Sequence, residues 1–272
     1  MDVTGLPGSL ADFGPAALAA VIVAAYLVAG EPVTGAVLHR RFEDRLRTDP
    51  GARRSFYRRL LVLEWGLTAI TLVVFLAASD VGAAAVGLRW PGSWPGPVVG
   101  VLCAALLVFV VLSTRALRGG VLLEAAGTDP RRPGTDRRRA GEGRHAEPPR
   151  QATLALLPRS AAERRLFTLV GVTAGVCEEW LYRGFFLAVV AAVAGGPPGW
   201  VLVLVAAVAF GLAHAYQGVG GVVLTGTLGG VLAALYLSTG SLLLPVLLHA
   251  VVDLRFLLVP AHALPASSGA AR

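Results

Sequence analysis

Cysteine and charge are both scarce in this sequence. The two cysteines, Cys103 and Cys177, lie inside apolar runs, so no disulfide framework and no CxxC metal site follow from them. Lysine is absent, and all 24 basic residues are arginine. The 272 residues are 55% hydrophobic, with a mean hydropathy of +0.67. A soluble domain of this size is less apolar, so the sequence predicts a polytopic membrane protein.

Seven apolar runs are long enough to cross a bilayer as helices. They cover residues 13–30, 60–79, 97–114, 166–194, 199–216, 219–237 and 241–259. The fourth run has 29 residues, so we expect it to be tilted, broken or partly outside the bilayer. The predicted fold is an all-α transmembrane helical bundle with about seven spans. An eighth membrane-associated segment in 31–59 or 115–125 would change this count.

The distribution of arginine predicts the orientation of the spans. Eight arginines lie in the loop 31–59 and twelve in the loop 115–165, whereas the loop 80–96 contains only Arg89. Arginine is enriched in cytoplasmic loops, so we expect both basic loops to face the cytoplasm. We expect the protein itself to lie in the inner (cell) membrane. We expect these arginines to meet anionic lipid headgroups or an acidic substrate tail, and not nucleic acid.

Composition divides the chain into four segments. Residues 1–125 form a membrane half with three spans and a basic cytoplasmic loop. Residues 126–150 are rich in Pro, Gly and Arg and lack apolar periodicity, which predicts a disordered cytoplasmic linker. The four remaining spans fall in 151–260, and 261–272 is expected to be a disordered tail.

Ionisable residues inside the spans are concentrated in the second half of the chain. In the first half, Glu31, Glu64 and Asp80 lie near span ends, where we expect them to reach water. The second half contains three pairs at i,i+4 spacing, a spacing that places both residues on one helix face. These pairs are Glu179 with Arg183, Phe210 with His214, and His249 with Asp253, and Glu178 precedes the first pair.

Each buried ionisable group costs roughly 2.5–3.5 kcal/mol on membrane-insertion scales. We therefore expect these groups to face a common interior or wet cavity, with Glu179 and Arg183 forming an ion pair. Glu178 lies about 100° around the helix from Glu179, so it is left to face another neighbour, such as His214 or His249.

Carboxylate and imidazole groups in a dry pocket can activate water. Two histidines with one or two carboxylates also resemble a catalytic zinc shell. The sequence contains neither HExxH nor GxSxG, which favours direct attack by water over an acyl-enzyme. Two other interpretations remain: a polar network that fixes helix packing, and a proton-coupled transporter, although no repeat relates the two halves.

The three pairs, read in order, resemble a known pattern. Glu178-Glu179-x-x-x-Arg183, Phe210-x-x-x-His214 and His249-x-x-x-Asp253 resemble the motifs of the CPBP intramembrane proteases, the CAAX prenyl endopeptidase and bacteriocin-processing family, also called ABI. The resemblance covers about 155–259. It implies an intramembrane endopeptidase core within 151–260, whose peptide or protein substrate enters from the membrane or the cytoplasmic face. A non-proteolytic member, such as a bacteriocin-immunity or scaffold protein, is the alternative.

The resemblance also implies the catalytic roles. Glu178 would activate water together with His214, while His249 and Asp253 would bind the scissile carbonyl oxygen. In a metal-assisted version, His214, His249, Asp253 and Glu178 would hold a divalent ion such as zinc.

The same resemblance implies three supporting residues and contains one departure. Glu179 and Arg183 would pair and brace the site or contact the C-terminal end of the substrate, and Phe210 would pack beneath His214. Position 253 is Asn in the prenyl-endopeptidase branch but Asp here, a variant that bacterial members also use. An ionised carboxylate cannot donate to an oxyanion, so we expect Asp253 to orient His249 or to ligate a metal.

Overall fold

The structure is a computed structural model that describes residues 5–46, 48–92, 96–118, 154–260 and 264. The regular elements within these ranges are helices, which confirms the predicted all-α fold. The linker predicted at 126–150 lies outside the described residues, as does the tail predicted at 261–272 apart from Leu264.

Seven principal helices follow one another along the described chain, and each overlaps one predicted apolar run. They are α1 (Leu10–Leu46), α2 (Ala52–Ala77), α3 (Pro97–Arg118), α4 (Ala161–Glu179, continued by Trp180–Phe186 and Leu187–Val193), α5 (Gly199–Ala213), α6 (Gly218–Thr239) and α7 (Leu243–Leu254).

Among the described residues, four helices are long and apolar enough to cross a membrane by length and composition. They are Leu10–Leu46, Ala52–Ala77, Val99–Ala116 and Ala215–Thr239, and α5 is a shorter apolar helix. Their outward faces carry exposed apolar side chains, such as Val101 at 67%, Leu204 at 55% and Val223 at 63% exposure. Such faces suit contact with lipid tails, which are as apolar as these side chains.

Helix α4 lies at the centre of the bundle and changes its winding where the site lies. It begins at a capping box in which Ser160 accepts from the Glu163 N–H and Glu163 accepts from the Ser160 N–H. The segment Trp180–Phe186 is a π-helical turn, and all seven of its residues are buried. Such turns occur frequently at functional sites. The long fourth run is therefore a helix with a widened turn.

Glycine allows two helix pairs to approach closely. A Cβ atom at Gly175 would lie 3.0 Å from the carbonyl oxygen of Val246 and 3.1 Å from the Cβ of Ala250, so α4 and α7 are nearly in backbone contact. A Cβ atom at Gly211 would lie 2.8 Å from the carbonyl oxygen of Val222, where α5 meets α6. Small residues of this kind permit tight packing in membranes.

Hydrogen bonds from two tryptophans join α2 to α4. The indole Nε1 of Trp180 donates to Thr71 Oγ1 at 2.8 Å, and that of Trp65 donates to Thr173 Oγ1 at 3.3 Å. Interhelical hydrogen bonds of this type contribute to helix association in lipid, where apolar burial contributes little. They link the N-terminal half of the chain to the helix that carries Glu178 and Glu179.

Candidate active site

The charged residues of α4 meet α7 just beyond the close approach at Gly175. Glu179 is fully buried, and its Oε1 accepts from Arg183 Nη1 at 2.9 Å and from His249 Nδ1 at 2.7 Å. Since an ionised carboxylate can only accept, Nδ1 of His249 carries the hydrogen. The expected Glu179–Arg183 ion pair is present, and it fixes the orientation of the His249 ring.

Arg183 connects three helices from a fully buried position. Its Nη2 donates to the carbonyl oxygen of Gly229 on α6 at 3.0 Å, and its guanidinium lies 4.4 Å from the ring centroid of Phe210 on α5. A buried charge is tolerated only when it is paired and hydrogen-bonded. Glu179, Gly229 and the Phe210 ring partner Nη1, Nη2 and the guanidinium face, while Arg183 Nε and Glu179 Oε2 are buried without a hydrogen-bond partner among the described residues.

Glu178 approaches the same imidazole from the opposite side. Its Oε2 lies 3.8 Å from His249 Nε2, and its side chain is 17% exposed. Successive residues of a helix point about 100° apart, so Glu178 faces Nε2 while Glu179 holds Nδ1. The buried Oε2 of Glu178 has no hydrogen-bond partner among the described residues. An acceptor without a partner at a buried position is suited to bind water or substrate.

His214 stands where α5 ends, and the local geometry determines its tautomer. Its backbone N–H bonds to the carbonyl of Gly211 at 3.1 Å, a tighter turn than an α-helix makes. The carbonyl of Phe210 instead meets the His214 Nδ1 at 2.9 Å. Because a carbonyl can only accept, Nδ1 carries the hydrogen, and Nε2 of the neutral ring is an acceptor.

Phe210 lies between the two imidazoles. Its ring centroid is 4.7 Å from that of His214 and 5.8 Å from that of His249. Phe210 is 1% exposed, so it forms an apolar floor that both rings contact. This position agrees with the packing expected beneath His214.

Asp253 lies on the more open side of the site. Its Oδ2 is 3.8 Å from His249 Nε2, and its side chain is 30% exposed, compared with 0% for Glu179. Glu178 and Asp253 therefore flank Nε2 together. The structure brings all seven residues singled out in the sequence into one connected set, buried at Glu179 and accessible near Asp253.

Sequence reasoning missed two side chains that join this set. Tyr182, in the π-helical turn, donates a hydrogen bond to Glu31, and its ring lies 5.3 Å from that of Phe210. Glu31 is within electrostatic range of Glu178 and His214. We had expected Glu31 to reach water at a span end, but α1 continues through that point and turns Glu31 toward α4. The position of Tyr182, directly before Arg183, was the one sequence feature that could have indicated a further polar side chain at the site.

Glu64 of α2 also departs from the expected interfacial position. One of its carboxylate oxygens, Oε2, is buried without a hydrogen-bond partner among the described residues. Glu64 is within electrostatic range of Glu178 and Asp253. The N-terminal half of the chain therefore contributes two carboxylates, Glu31 and Glu64, to the surroundings of the site.

Histidines and carboxylates of this set are also the candidate ligands for a metal ion. Within the described ranges, no three or more His, Cys, Asp or Glu side chains are placed to hold one ion together. His249 Nε2 lies 3.8 Å from both Glu178 and Asp253, and Nδ1 of His214 donates to a carbonyl, which leaves Nε2 as its free nitrogen. Metal binding by His214, His249, Asp253 and Glu178 therefore stays a prediction.

Comparison with known proteins identified one family. Residues 161–255 match the family model described as Rce1-like, type II CAAX prenyl endopeptidase. The match spans α4 to the end of α7 and contains every residue of the three motifs. No curated protein and no solved structure matched the chain.

The matched segment is the one that the three motifs had singled out. Its helices place Glu178 beside His249 at one buried ion pair, and His214 joins them through the Phe210 ring. The match covers less than half of the chain, and it makes residues 161–255 similar to the type II CAAX prenyl endopeptidases, the group whose motifs this segment resembles.

Proposed function

We propose that this protein is an intramembrane endopeptidase in which Glu178 and His214 activate the water that attacks a peptide bond. The observation that supports this proposal is the setting of His249. Its Nδ1 is held by the Glu179–Arg183 pair at 2.7 Å, and its Nε2 faces Glu178 at 3.8 Å. A carboxylate, an oriented imidazole and an accessible acceptor at His214 are the groups that general acid–base hydrolysis requires.

Each bond change in the proposed reaction has a residue assigned to it. The water oxygen bonds to the scissile carbonyl carbon while its proton passes to Glu178, with Nε2 of His214 accepting a hydrogen bond from the same water. The carbonyl oxygen becomes an oxyanion, to which Nε2–H of protonated His249 donates. The C–N bond then breaks, and Glu178 returns the proton to the leaving amine.

Asp253 is proposed to position His249. Phe210 is proposed to separate the two imidazoles with its buried, apolar ring. Of the glutamate-dependent and metal-assisted versions, the donor geometry supports the glutamate-dependent one, and no step above uses a metal. The substrate is proposed to be a peptide or protein segment that enters from the membrane or the cytoplasmic face.

Cleavage of peptides by the purified full-length protein tests this proposal. We would incubate it with a peptide library that includes prenylated and unmodified C-terminal sequences, and detect products by mass spectrometry. Glu178→Gln removes the base but keeps the side-chain shape, so cleavage is expected to fall by roughly 100-fold or more. Asp44→Asn, at an exposed position of α1 away from the site, is the matched control and is expected to retain cleavage.

Two outcomes would contradict the proposal. Equal cleavage by wild type and Glu178→Gln would exclude Glu178 as the base. Absence of cleavage by a folded wild-type protein across the library would favour the non-proteolytic alternative. A separate arm with a metal chelator is expected to leave the rate unchanged, and a loss restored by zinc would favour the metal-assisted version.

A further inference from the structure

A cavity lies outside the candidate active site, in the hairpin where α1 ends and α2 begins. Its volume is about 720 Å³. Four of its lining residues are arginines and one is an aspartate, which gives the lining a formal net charge of +3 (four positive, one negative). The lining residues are Leu38, Arg45, Asp49, Gly51, Arg54, Ser55, Arg58, Arg59, Val62 and Leu63.

One of the four arginines is already paired. Arg45 Nη2 lies 2.5 Å from Asp49 Oδ2. The N–H of Gly51 and the Arg45 guanidinium hold the pKa of Asp49 below its usual value, so this loop carboxylate stays ionised and stays with Arg45. No second carboxylate lines the cavity.

The other three arginines are available to a ligand. Arg54, Arg58 and Arg59 are exposed and form no ion pair with any residue that the structure describes. Arg54 and Arg58, at i,i+4, share one face of α2, and Arg59 follows Arg58, so that all three line the cavity. Three guanidinium groups at one cavity wall match the charge and the hydrogen-bonding geometry of a phosphate group.

The cavity continues from these arginines onto apolar side chains. Val62 and Leu63 lie one helical turn beyond Arg58 and Arg59, about 6 Å along the axis, and Leu38 faces them from α1. Val62 is 73% exposed and Leu63 is 38% exposed. The composition of α2 changes from basic to apolar at Leu60, so this is the point where the helix enters the bilayer. A soluble anion such as free phosphate has no apolar part that could pack against Leu38, Val62 and Leu63.

We propose that this cavity binds an anionic phospholipid, with its phosphate at Arg54, Arg58 and Arg59 and the start of an acyl chain along Leu38, Val62 and Leu63. Charge complementarity selects an anionic headgroup, and the apolar wall selects a lipid over a free phosphate. The proposal does not depend on the proposed hydrolysis, because the cavity shares no lining residue with the candidate active site.

Lipid titration of the full-length protein in neutral detergent tests the headgroup. Binding of phosphatidylglycerol and of phosphatidylcholine with the same acyl chains would be measured by native mass spectrometry. Phosphatidylglycerol is expected to bind preferentially, and R58Q/R59Q is expected to weaken its binding roughly 30-fold. The matched control, R115Q/R118Q, removes two exposed arginines from the end of α3 and is expected to change binding less than about threefold.

A second set of binding measurements tests the role of the apolar wall and distinguishes a lipid phosphate from a soluble one. V62S/L63S is expected to weaken phosphatidylglycerol binding but to leave the weak binding of glycerol phosphate unchanged. If R58Q/R59Q does not fold, judged by circular dichroism and thermal unfolding, Arg58→Gln alone is expected to give a loss of roughly fivefold.

Three results would overturn the proposal. Equal binding of the two lipids would show that the headgroup charge is not recognised. An equal loss in R115Q/R118Q would show a general effect of surface charge. Displacement of phosphatidylglycerol by an equal concentration of inorganic phosphate would assign the cavity to a soluble anion.

Discussion

At the scale of single residues, the two histidines of the site are prepared for different tasks. Nδ1 of His249 donates to a buried carboxylate, so the ring is fixed and Nε2 points at Glu178 and Asp253. Nδ1 of His214 donates to a backbone carbonyl, which leaves Nε2 as an acceptor. In the reaction proposed above, protonated His249 would donate to the oxyanion and His214 would accept from water.

Position 253 gives a prediction about this division of tasks. Asp253→Asn is expected to keep cleavage within about tenfold of wild type, because Glu179 already fixes the tautomer of His249 and an amide can donate to the oxyanion. Asp253→Leu removes one of the two carboxylates that flank Nε2 and replaces it with an apolar group, so the rate is expected to fall by roughly tenfold or more. The measurement is kcat/KM on a peptide that the wild type cleaves.

The pattern of loss across the two variants decides between roles for Asp253. If Asp253→Asn is as inactive as Asp253→Leu, a negative charge is required at this position, and the metal-ligand role gains support. If both variants keep the wild-type rate, Asp253 does not position His249.

Some of these residue contacts could be predicted from sequence and others could not. The i,i+4 spacing of Glu179 and Arg183 predicts their ion pair, because helix geometry alone brings the two side chains together. The partner of His249 could not be predicted in this way. Glu179 is 70 residues away in sequence, and only the packing of α7 on α4 decides which of two adjacent glutamates meets Nδ1.

At the scale of helices, the site depends on how closely α4 and α7 approach. Gly175 leaves no space for a side chain between the helices, and Glu178 and Glu179 follow it within about one turn. The π-helical turn that begins at Trp180 directs Tyr182 and Arg183 inward together. The apolar runs predicted the order of the seven helices, and four helices of the described chain are long and apolar enough to cross a membrane. No feature of the sequence marked the π-helical turn or the end of α5 at Ala213.

Substitution of Gly175 tests this dependence. Gly175→Leu is expected to force α4 and α7 apart, which would destabilise the protein by about 1–3 kcal/mol. Because it displaces Glu178 and Glu179 from His249, the cleavage rate is expected to fall on the order of 100-fold. Gly66→Leu on α2 is the matched control, since a Cβ atom at Gly66 meets nothing within 4 Å. Thermal unfolding and cleavage of the same preparations provide the measurement, and equal effects of the two variants would contradict this account of the glycine.

At the scale of the whole molecule, contacts join helix ends that the arginine distribution assigns to the same side of the membrane. On the expected cytoplasmic side, Arg53 donates to the carbonyl of Ala155 at 3.0 Å, and Tyr57 donates to that of Leu156. On the expected outer side, Ser241 Oγ donates to the carbonyl of Arg89 at 2.6 Å. The only arginine of the loop 80–96 thus lies beside the connector between α6 and α7.

Labelling of single cysteines in intact cells tests this arrangement. After replacement of Cys103 and Cys177 by alanine, one cysteine would be introduced at Thr48, Gly82 or Ala194, all exposed positions between helices. Because arginine-rich loops stay in the cytoplasm, a membrane-impermeant maleimide is expected to label Gly82→Cys and Ala194→Cys in intact cells. Thr48→Cys is expected to react only after the membrane is permeabilised. Labelling of Thr48→Cys and Gly82→Cys from the same side would mean that α2 does not cross the bilayer. The opposite labelling of all three would place the basic cavity, and the anionic lipid proposed for it, in the outer leaflet.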